Sequence, residues 1–219
     1  MSKTRWSTWQ AIGKRLVAAT GMTWNGLAAQ DLAELVEFVP WPEPLEGCLL
    51  HALVQATHKQ GRCVVEIGSR RGRSLSILAM ALRGVDSESL LFSIDPHEEQ
   101  PCTLEHCRLA LRQIGEEARL VQVQATSDRA AAVLGRGVAS LIFIDGDHSY
   151  DQVIADFDNY RDILAPGGCL VFHDYGYGNH NGVPEADPDV RRAIDEHVMP
   201  AKGFRPLLLA HTQFAVLKQ

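Results

Sequence analysis

The chain has 219 residues, 46% of them hydrophobic, and a formal net charge of −6 at pH 7. That is enough to bury a full core as one domain with an appendage. The acidic balance argues against a nucleic-acid partner, which would call for a basic excess, and the apolar runs fall well short of the roughly 20 residues that span a bilayer.

The opening residues MSKTRWSTWQ lack the apolar core of a secretory signal. Five cysteines, an odd number in a chain too large to need staples, read as reduced thiols, so a cytoplasmic setting is expected. Residues 1–45 form a distinct N-terminal helical or lid segment. Trp6, Trp9, Trp24 and Trp41 all fall in it, and Pro40, Pro42 and Pro44 close it. From Asp31 onward, Leu32, Leu35, Val36 and Val39 keep helical spacing, with Asp31 as N-cap and Glu34 as its capping-box partner. The tryptophans read first as packing of a helical layer on the core. A substrate lid or a dimer contact is the alternative, because aromatics supply large contact area.

Residues 46–219 are expected as one domain. Gly47 to Lys59 is a predicted helix, and strand and helix then alternate. Cys63–Ile67 is a strand, Gly68–Ser74 a turn, and Ser74–Arg83 a helix stopped by Gly84. Leu90–Ile94 is a strand that ends at Asp95-Pro96, and Pro101–Ile114 is a helix. Cys102, His106 and Cys107 share that helix, but three ligands with no second half assign no metal. Arg119–Val123 is a third strand, followed by a short helix over Asp128–Leu134. Leu141–Ile144 is a fourth strand, halted by Asp145-Gly146-Asp147-His148. A helix with Val153, Ile154, Phe157 and Leu164 on one stripe follows, then a Pro166-Gly167-Gly168 turn. The fifth strand, Cys169–Phe172, stops at His173-Asp174. Asp189–Met199 is a helix. Pro206–Ala210 and Phe214–Lys218 are too close for a helical crossover and form an antiparallel hairpin. The pattern predicts an α/β fold: a Rossmann-like, doubly wound, seven-stranded sheet with an antiparallel last strand.

Open α/β sheets bind ligands at the carboxyl ends of their strands. Asp145, His148, His173 and Asp174 are therefore the first candidates for chemistry. In Val65-Glu66-Ile67-Gly68-Ser69-Arg70-Arg71-Gly72-Arg73-Ser74 the glycines allow a ligand near the backbone, and the helix start offers unpaired N–H groups. The spacing is not the Gly-x-Gly-x-x-Gly of a dinucleotide site, and the preceding Glu66 suits an ammonium or sulfonium better than a phosphate. This spacing and the closing hairpin disfavour a nicotinamide-dependent oxidoreductase. Asp95 can accept hydrogen bonds from ribose hydroxyls; its plain alternative is a helix cap.

The set Val64-Val-Glu-Ile-Gly68 with Gly72, Ser93-Ile-Asp95, Phe143-Ile-Asp-Gly-Asp-His148 and Leu164-Ala-Pro-Gly-Gly-Cys-Leu-Val-Phe-His-Asp174 resembles class I S-adenosylmethionine-dependent methyltransferases. Within the class the chain is similar to small O-methyltransferases of the catechol and caffeoyl-CoA types. It is more similar still to the macrocin/mycinamicin sugar methyltransferases and cephalosporin-hydroxylase-like proteins.

This resemblance implies S-adenosylmethionine as cofactor and a divalent metal, Mg²⁺ or Mn²⁺. Glu66, Gly68, Ser69, Arg70, Gly72 and Ser74 would cradle the methionine moiety. Asp95 would hold the ribose with Pro96 beside the adenine, and Thr126 and Ser127 would meet the adenine edge. Asp145 would lie near the methionine and bind the metal with His173 and Asp174. His148 falls where relatives keep a catalytic base; its plain alternative is a cap of the following helix. His173 departs from the Asp or Glu of relatives, and an imidazole suits Mn²⁺, Fe²⁺ or Zn²⁺ better than Mg²⁺.

The implied activity is methyl transfer to a hydroxyl of a small molecule, a sugar or natural-product intermediate, by a homo-oligomer such as a dimer. A cofactor-binding partner without activity is the non-enzymatic alternative. Tyr177, His180 and Asn181, in the loop after Asp174, are further candidates as a substrate lid.

Overall fold

The computed structural model describes residues 44–98, 103–176, 178–180 and 183–219. The tryptophan-bearing segment, the helix expected from Asp31, Cys102, Tyr177 and Asn181 lie outside these residues.

The strands are apolar on both faces because both faces are covered. Along them, neighbouring residues enter opposite cores, as the two-residue period of a strand requires. Val64, Leu141, Phe143, Cys169 and Val171 pack on one face. Val65, Ile142, Ile144, Leu170 and Phe172 pack on the other. The first core is closed by helix α1 (Pro44–Thr57), α2 (Arg73–Arg83) and α3 (Thr103–Gln113). The second is closed by α4 (Ser127–Ala131), α5 (Tyr150–Tyr160) and α6 (Pro188–Ala193), which continues as a π-turn over Ile194–Val198.

Strands β1 (Cys63–Ile67), β2 (Leu91–Ile94), β3 (Leu120–Val123), β4 (Ala139–Ile144), β5 (Leu164–Phe172), β8 (Phe204–Ala210) and β9 (Gln213–Lys218) form one sheet. Its order is β3-β2-β1-β4-β5-β9-β8. β1 to β5 pair in parallel, and β9 inserts antiparallel between β5 and β8. The expected doubly wound seven-stranded sheet with a reversed last strand is therefore the observed one. Two short strands, β6 (Gly178–His180) and β7 (Val183–Glu185), pair separately as a hairpin within the stretch expected as a loop, and His180 belongs to β6.

Three boundaries differ from expectation for physical reasons. Pro44, expected as the last proline of the N-terminal segment, is the first residue of α1, where its missing N–H costs nothing. The Pro166-Gly167-Gly168 stretch is a bulge inside β5, since Ala139 pairs with Leu164 but Leu141 pairs with Cys169. α4 ends at Ala131 rather than Leu134, leaving Val133 80% exposed and β3 only partly covered.

That thin cover leaves a cavity of about 670 Å³ at the amino edge of the sheet, lined in part by Arg62, Ser89, Phe92, Val123 and Leu134. It lies away from the polar strand ends described below. No helix among the described residues is long and apolar enough to cross a membrane.

Candidate active site

Four non-glycine residues among those described have positive φ: Arg70, His97, Asp174 and His211. All four sit in turns at the carboxyl edge of the sheet, after β1, β2, β5 and β8. Left-handed backbone costs a non-glycine residue on the order of 1 kcal/mol or more and gathers where surrounding structure over-determines the fold. The same edge carries the candidate chemistry.

The turn after β1 is packed directly on the turn after β4. Gly68 has φ +86°, and a Cβ there would lie 2.0 Å from the carbonyl oxygen of Asp145. Asp145 N in turn donates to Ile67 O at 2.9 Å. Gly72, φ 78°, caps α2 and lets Cys107 of α3 approach closely.

Just below, Glu66 is fully buried, and neither carboxylate oxygen has a hydrogen-bond partner of good geometry among the described residues. Burial pushes its pKa up to about 8, against the smaller opposing pull of the Ser74 and Ser69 hydroxyls. Near neutral pH the acid meets the cost of burial largely by keeping its proton, and a cation brought beside it would favour the ionised form. The ammonium of S-adenosylmethionine is such a cation. Arg70, Arg71 and Arg73 are exposed around the turn.

Asp95 ties two strand ends together. Its Oδ2 accepts from Arg70 N at 2.8 Å and its Oδ1 from His97 N at 2.7 Å. Each carboxylate oxygen keeps a further lone pair for a ribose hydroxyl. Pro96 is half-buried beside it, and Thr126 is exposed at the head of α4. Ser127 is turned inward: its hydroxyl accepts from Gln152 of α5 at 3.1 Å and its carbonyl accepts from the Tyr160 hydroxyl. Its hydroxyl is therefore engaged within the fold, and Thr126 is the more open of the two residues expected at the adenine edge.

The turn after β4 and the end of β5 bring acids and imidazoles together. The His148 ring lies with Nε2 3.6 Å from Asp145 Oδ1, and Nδ1 3.5 Å from Asp174 Oδ2 and 3.7 Å from Asp187 Oδ2. Its pKa is raised, chiefly by Asp145, with burial pulling the other way. His148 is not the cap of α5; Asp147 serves that turn, accepting from Ser149 N at 2.8 Å. With its side chain 37% exposed, His148 is the ring of this cluster that an acceptor can reach.

His173 is only 10% exposed. Its Nδ1 lies 3.2 Å from Asp145 Oδ1 and 3.1 Å from Asp174 Oδ2, and its Nε2 lies 3.2 Å from Glu46 Oε2. Burial disfavours charge on this ring, but Asp145, Asp174 and Glu46 more than offset it and drive its pKa far above the usual range.

Two ligand sets for a metal share Asp145 and Asp174. With His148 as third member, ligand atoms lie within 4.8 Å of one another. With His173 the spacings to the carboxylates are 3.1 and 3.2 Å. Carboxylate oxygens with an imidazole nitrogen make a donor set that a divalent ion such as Mn²⁺ accepts.

Glu46, Asp187 and the His211-Thr212 turn join the cluster without being candidates from the sequence. Asp187 Oδ1 caps α6 by accepting from Asp189 N and Val190 N, its N donates to Asp174 O at 3.0 Å, and its Oδ2 faces His148. It thereby closes the loop that carries β6 and β7. The Asp-Pro pair at 187–188 is a readable helix start, but nothing local signals its reach to His148.

A family model described as a methyltransferase domain matches residues 65–175. The chain belongs to this methyltransferase family. The match covers β1 through the end of β5, the span that supplies Glu66, Asp95, Asp145, His148, His173 and Asp174. Strand order and the reversed β9 make this methyltransferase a class I S-adenosylmethionine-dependent fold.

An uncharacterized protein of Acanthamoeba polyphaga mimivirus is 28% identical over 151 residues, 67% of this chain. The chain aligns with only 65% of that relative's own length. A solved Corynebacterium glutamicum protein shares the fold at TM-score 0.66 and 21% identity, covering 95% of this chain and 97% of its own. The O-methyltransferase TomG from Streptomyces achromogenes, involved in tomaymycin synthesis and solved with its cofactor, matches at TM-score 0.63 and 16% identity over 100% of both chains. A Podospora anserina methyltransferase, solved with the demethylated cofactor, matches at TM-score 0.64 and 14% identity, covering 100% of this chain and 97% of its own.

Proposed function

We propose that this methyltransferase moves a methyl group from S-adenosylmethionine to a hydroxyl of a small molecule, a sugar or natural-product intermediate, with help from a divalent metal. The observation that carries the reading is the contact of Gly68 with the Asp145 backbone. It sets the cofactor turn, with buried Glu66, directly against the acid–histidine cluster.

S-Adenosylmethionine supplies an electrophilic methyl on sulfur. Glu66 takes the amino group, Asp95 the ribose, and the turn from Gly68 to Ser74 the remainder of the methionine moiety. An unactivated hydroxyl is a weak nucleophile. A divalent cation held by Asp145, His173 and Asp174 would supply Lewis acidity to that hydroxyl and offset the carboxylate charge around His148. His148, in its neutral form, accepts the hydroxyl proton on a ring nitrogen as the oxygen attacks. Asp145, Asp174 and Asp187 hold its ring in place. The likeness to TomG supports oxygen as the acceptor atom, and the four described free, buried cysteines suit a cytoplasmic setting.

The test is mass-spectrometric detection of methyl transfer to a panel of catechols and sugars, after EDTA treatment and with Mg²⁺ or Mn²⁺ restored. Transfer that needs the metal supports the reading. Transfer to nitrogen or carbon acceptors alone, or equal turnover in EDTA, contradicts it.

A further inference from the structure

Glu46 stands in the first turn of α1, outside the family-matched span, and is 3% exposed. Unlike Glu66, this buried acid is partnered on both oxygens. Its Oε2 lies 3.2 Å from His173 Nε2. Its Oε1 receives His211 Nδ1 at 2.8 Å, Thr212 N at 3.2 Å and the Thr212 hydroxyl. One carboxylate therefore links α1, the end of β5 and the β8–β9 turn. Phe143 adds an edge-on ring contact to His173, with centroids 6.1 Å apart.

An imidazole has two nitrogens, and which one faces a metal is decided by what the other one meets. The Glu46 side holds Nε2. Nδ1 is thereby left facing Asp145 and Asp174 at 3.2 and 3.1 Å. The carboxylate–histidine pairing that orients metal-bound imidazoles has this layout.

We infer that Glu46 is a positioning residue for the metal centre: it fixes His173 with Nδ1 toward Asp145 and Asp174, and so makes a histidine serviceable as the third ligand. This rests on the metal reading proposed above. Glu46 touches neither the acceptor nor the cofactor in this account. It acts through His173, raises the basicity of that ligand, and joins the β8–β9 turn to the site. A nitrogen ligand backed by a carboxylate also favours Mn²⁺ over Mg²⁺.

The experiment is Mn²⁺ binding to the full chain, read by electron paramagnetic resonance of free and bound ion, without turnover. Wild type, Glu46→Gln, Asp174→Asn and His211→Gln are compared, with S-adenosylmethionine affinity as a folding control. The expected result is Mn²⁺ affinity reduced about 10- to 100-fold in Glu46→Gln. Asp174→Asn should lose binding, and His211→Gln should stay within about twofold of wild type. Cofactor affinity should hold throughout. Wild-type Mn²⁺ affinity retained in Glu46→Gln, while Asp174→Asn loses it, overturns the role of Glu46 and leaves the metal reading standing. Equal losses in Glu46→Gln and His211→Gln reduce the effect to general loosening and also overturn it. No Mn²⁺ binding by wild type overturns the metal reading and this inference with it.

Discussion

A Cβ added to Gly68 would fall 2.0 Å from the carbonyl oxygen of Asp145. The residue that opens the cofactor turn and the residue that opens the acidic turn touch through their backbones, and neither can retreat without parting β1 from β4. Gly68→Ala should therefore do double damage: it asks a side chain to adopt φ +86° and drives it into main chain. We expect a loss of about 2–4 kcal/mol in stability, measured by urea unfolding, together with lost cofactor affinity. A stable Gly68→Ala protein with unchanged affinity would contradict the packing described.

With Glu66 as the proposed partner of the cofactor's amino group, cofactor binding should release a proton. Burial holds its pKa up to about 8, so near pH 7 the carboxyl is largely protonated, whereas a bound ammonium calls for carboxylate. Calorimetry at pH 7 in buffers of different ionisation enthalpy should show release of close to one proton in wild type and less in Glu66→Gln. The variant should also bind S-adenosylmethionine at least about tenfold more weakly. Equal proton release in both proteins counts against the assignment.

His148→Gln should lower kcat by about 10²- to 10⁴-fold, the usual worth of a positioned general base. Cofactor affinity should change little, because the proposed cofactor contacts are Glu66 and Asp95, not His148. Turnover preserved with the true acceptor would remove His148 from the base role.

Asp156 offers a test of stability alone. It is fully buried on α5, and burial raises its pKa to about 6, with the Ser127 and Gln152 side chains opposing. A folded state that holds this proton more tightly than the unfolded chain is stabilised by it below the unfolded pKa, near 3.8. That stabilisation is lost as pH rises through about 6. Asp156→Asn should therefore match wild type near pH 4 and exceed it by about 1–3 kcal/mol at pH 7.5 in urea unfolding. A constant difference at both pH values would refute the linkage.

The sheet was legible because its signals are local. Apolar runs such as Leu141–Ile144 that stop dead at acids mark strands and their carboxyl ends at once. The short gap between the last two strands dictated the reversed β9. Local signals also explain the errors: Pro166-Gly167-Gly168 carries turn chemistry, and only pairing with β4 shows that it is a bulge. Asp145, His148 and Asp174 were legible because each ends or follows a strand.

Glu46 was not legible, since its partners lie 127 and 165 residues away and nothing in its own helix announces them. That the Ser127 hydroxyl meets Gln152 was not legible either, because a position beside a strand end does not say which way a hydroxyl turns. His173 was noticed as the departure from relatives, but its clasp by three acids belongs to the folded chain alone.

Calorimetric titration with S-adenosylmethionine, and with NAD in parallel, decides whether the carboxyl edge around Glu66, Asp95 and Asp145 is an S-adenosylmethionine site. Saturable binding of S-adenosylmethionine with a micromolar dissociation constant, weakened at least about tenfold by Asp95→Ala, and no binding of NAD are expected. Absence of S-adenosylmethionine binding at millimolar concentration, or binding of NAD in its place, would contradict that assignment.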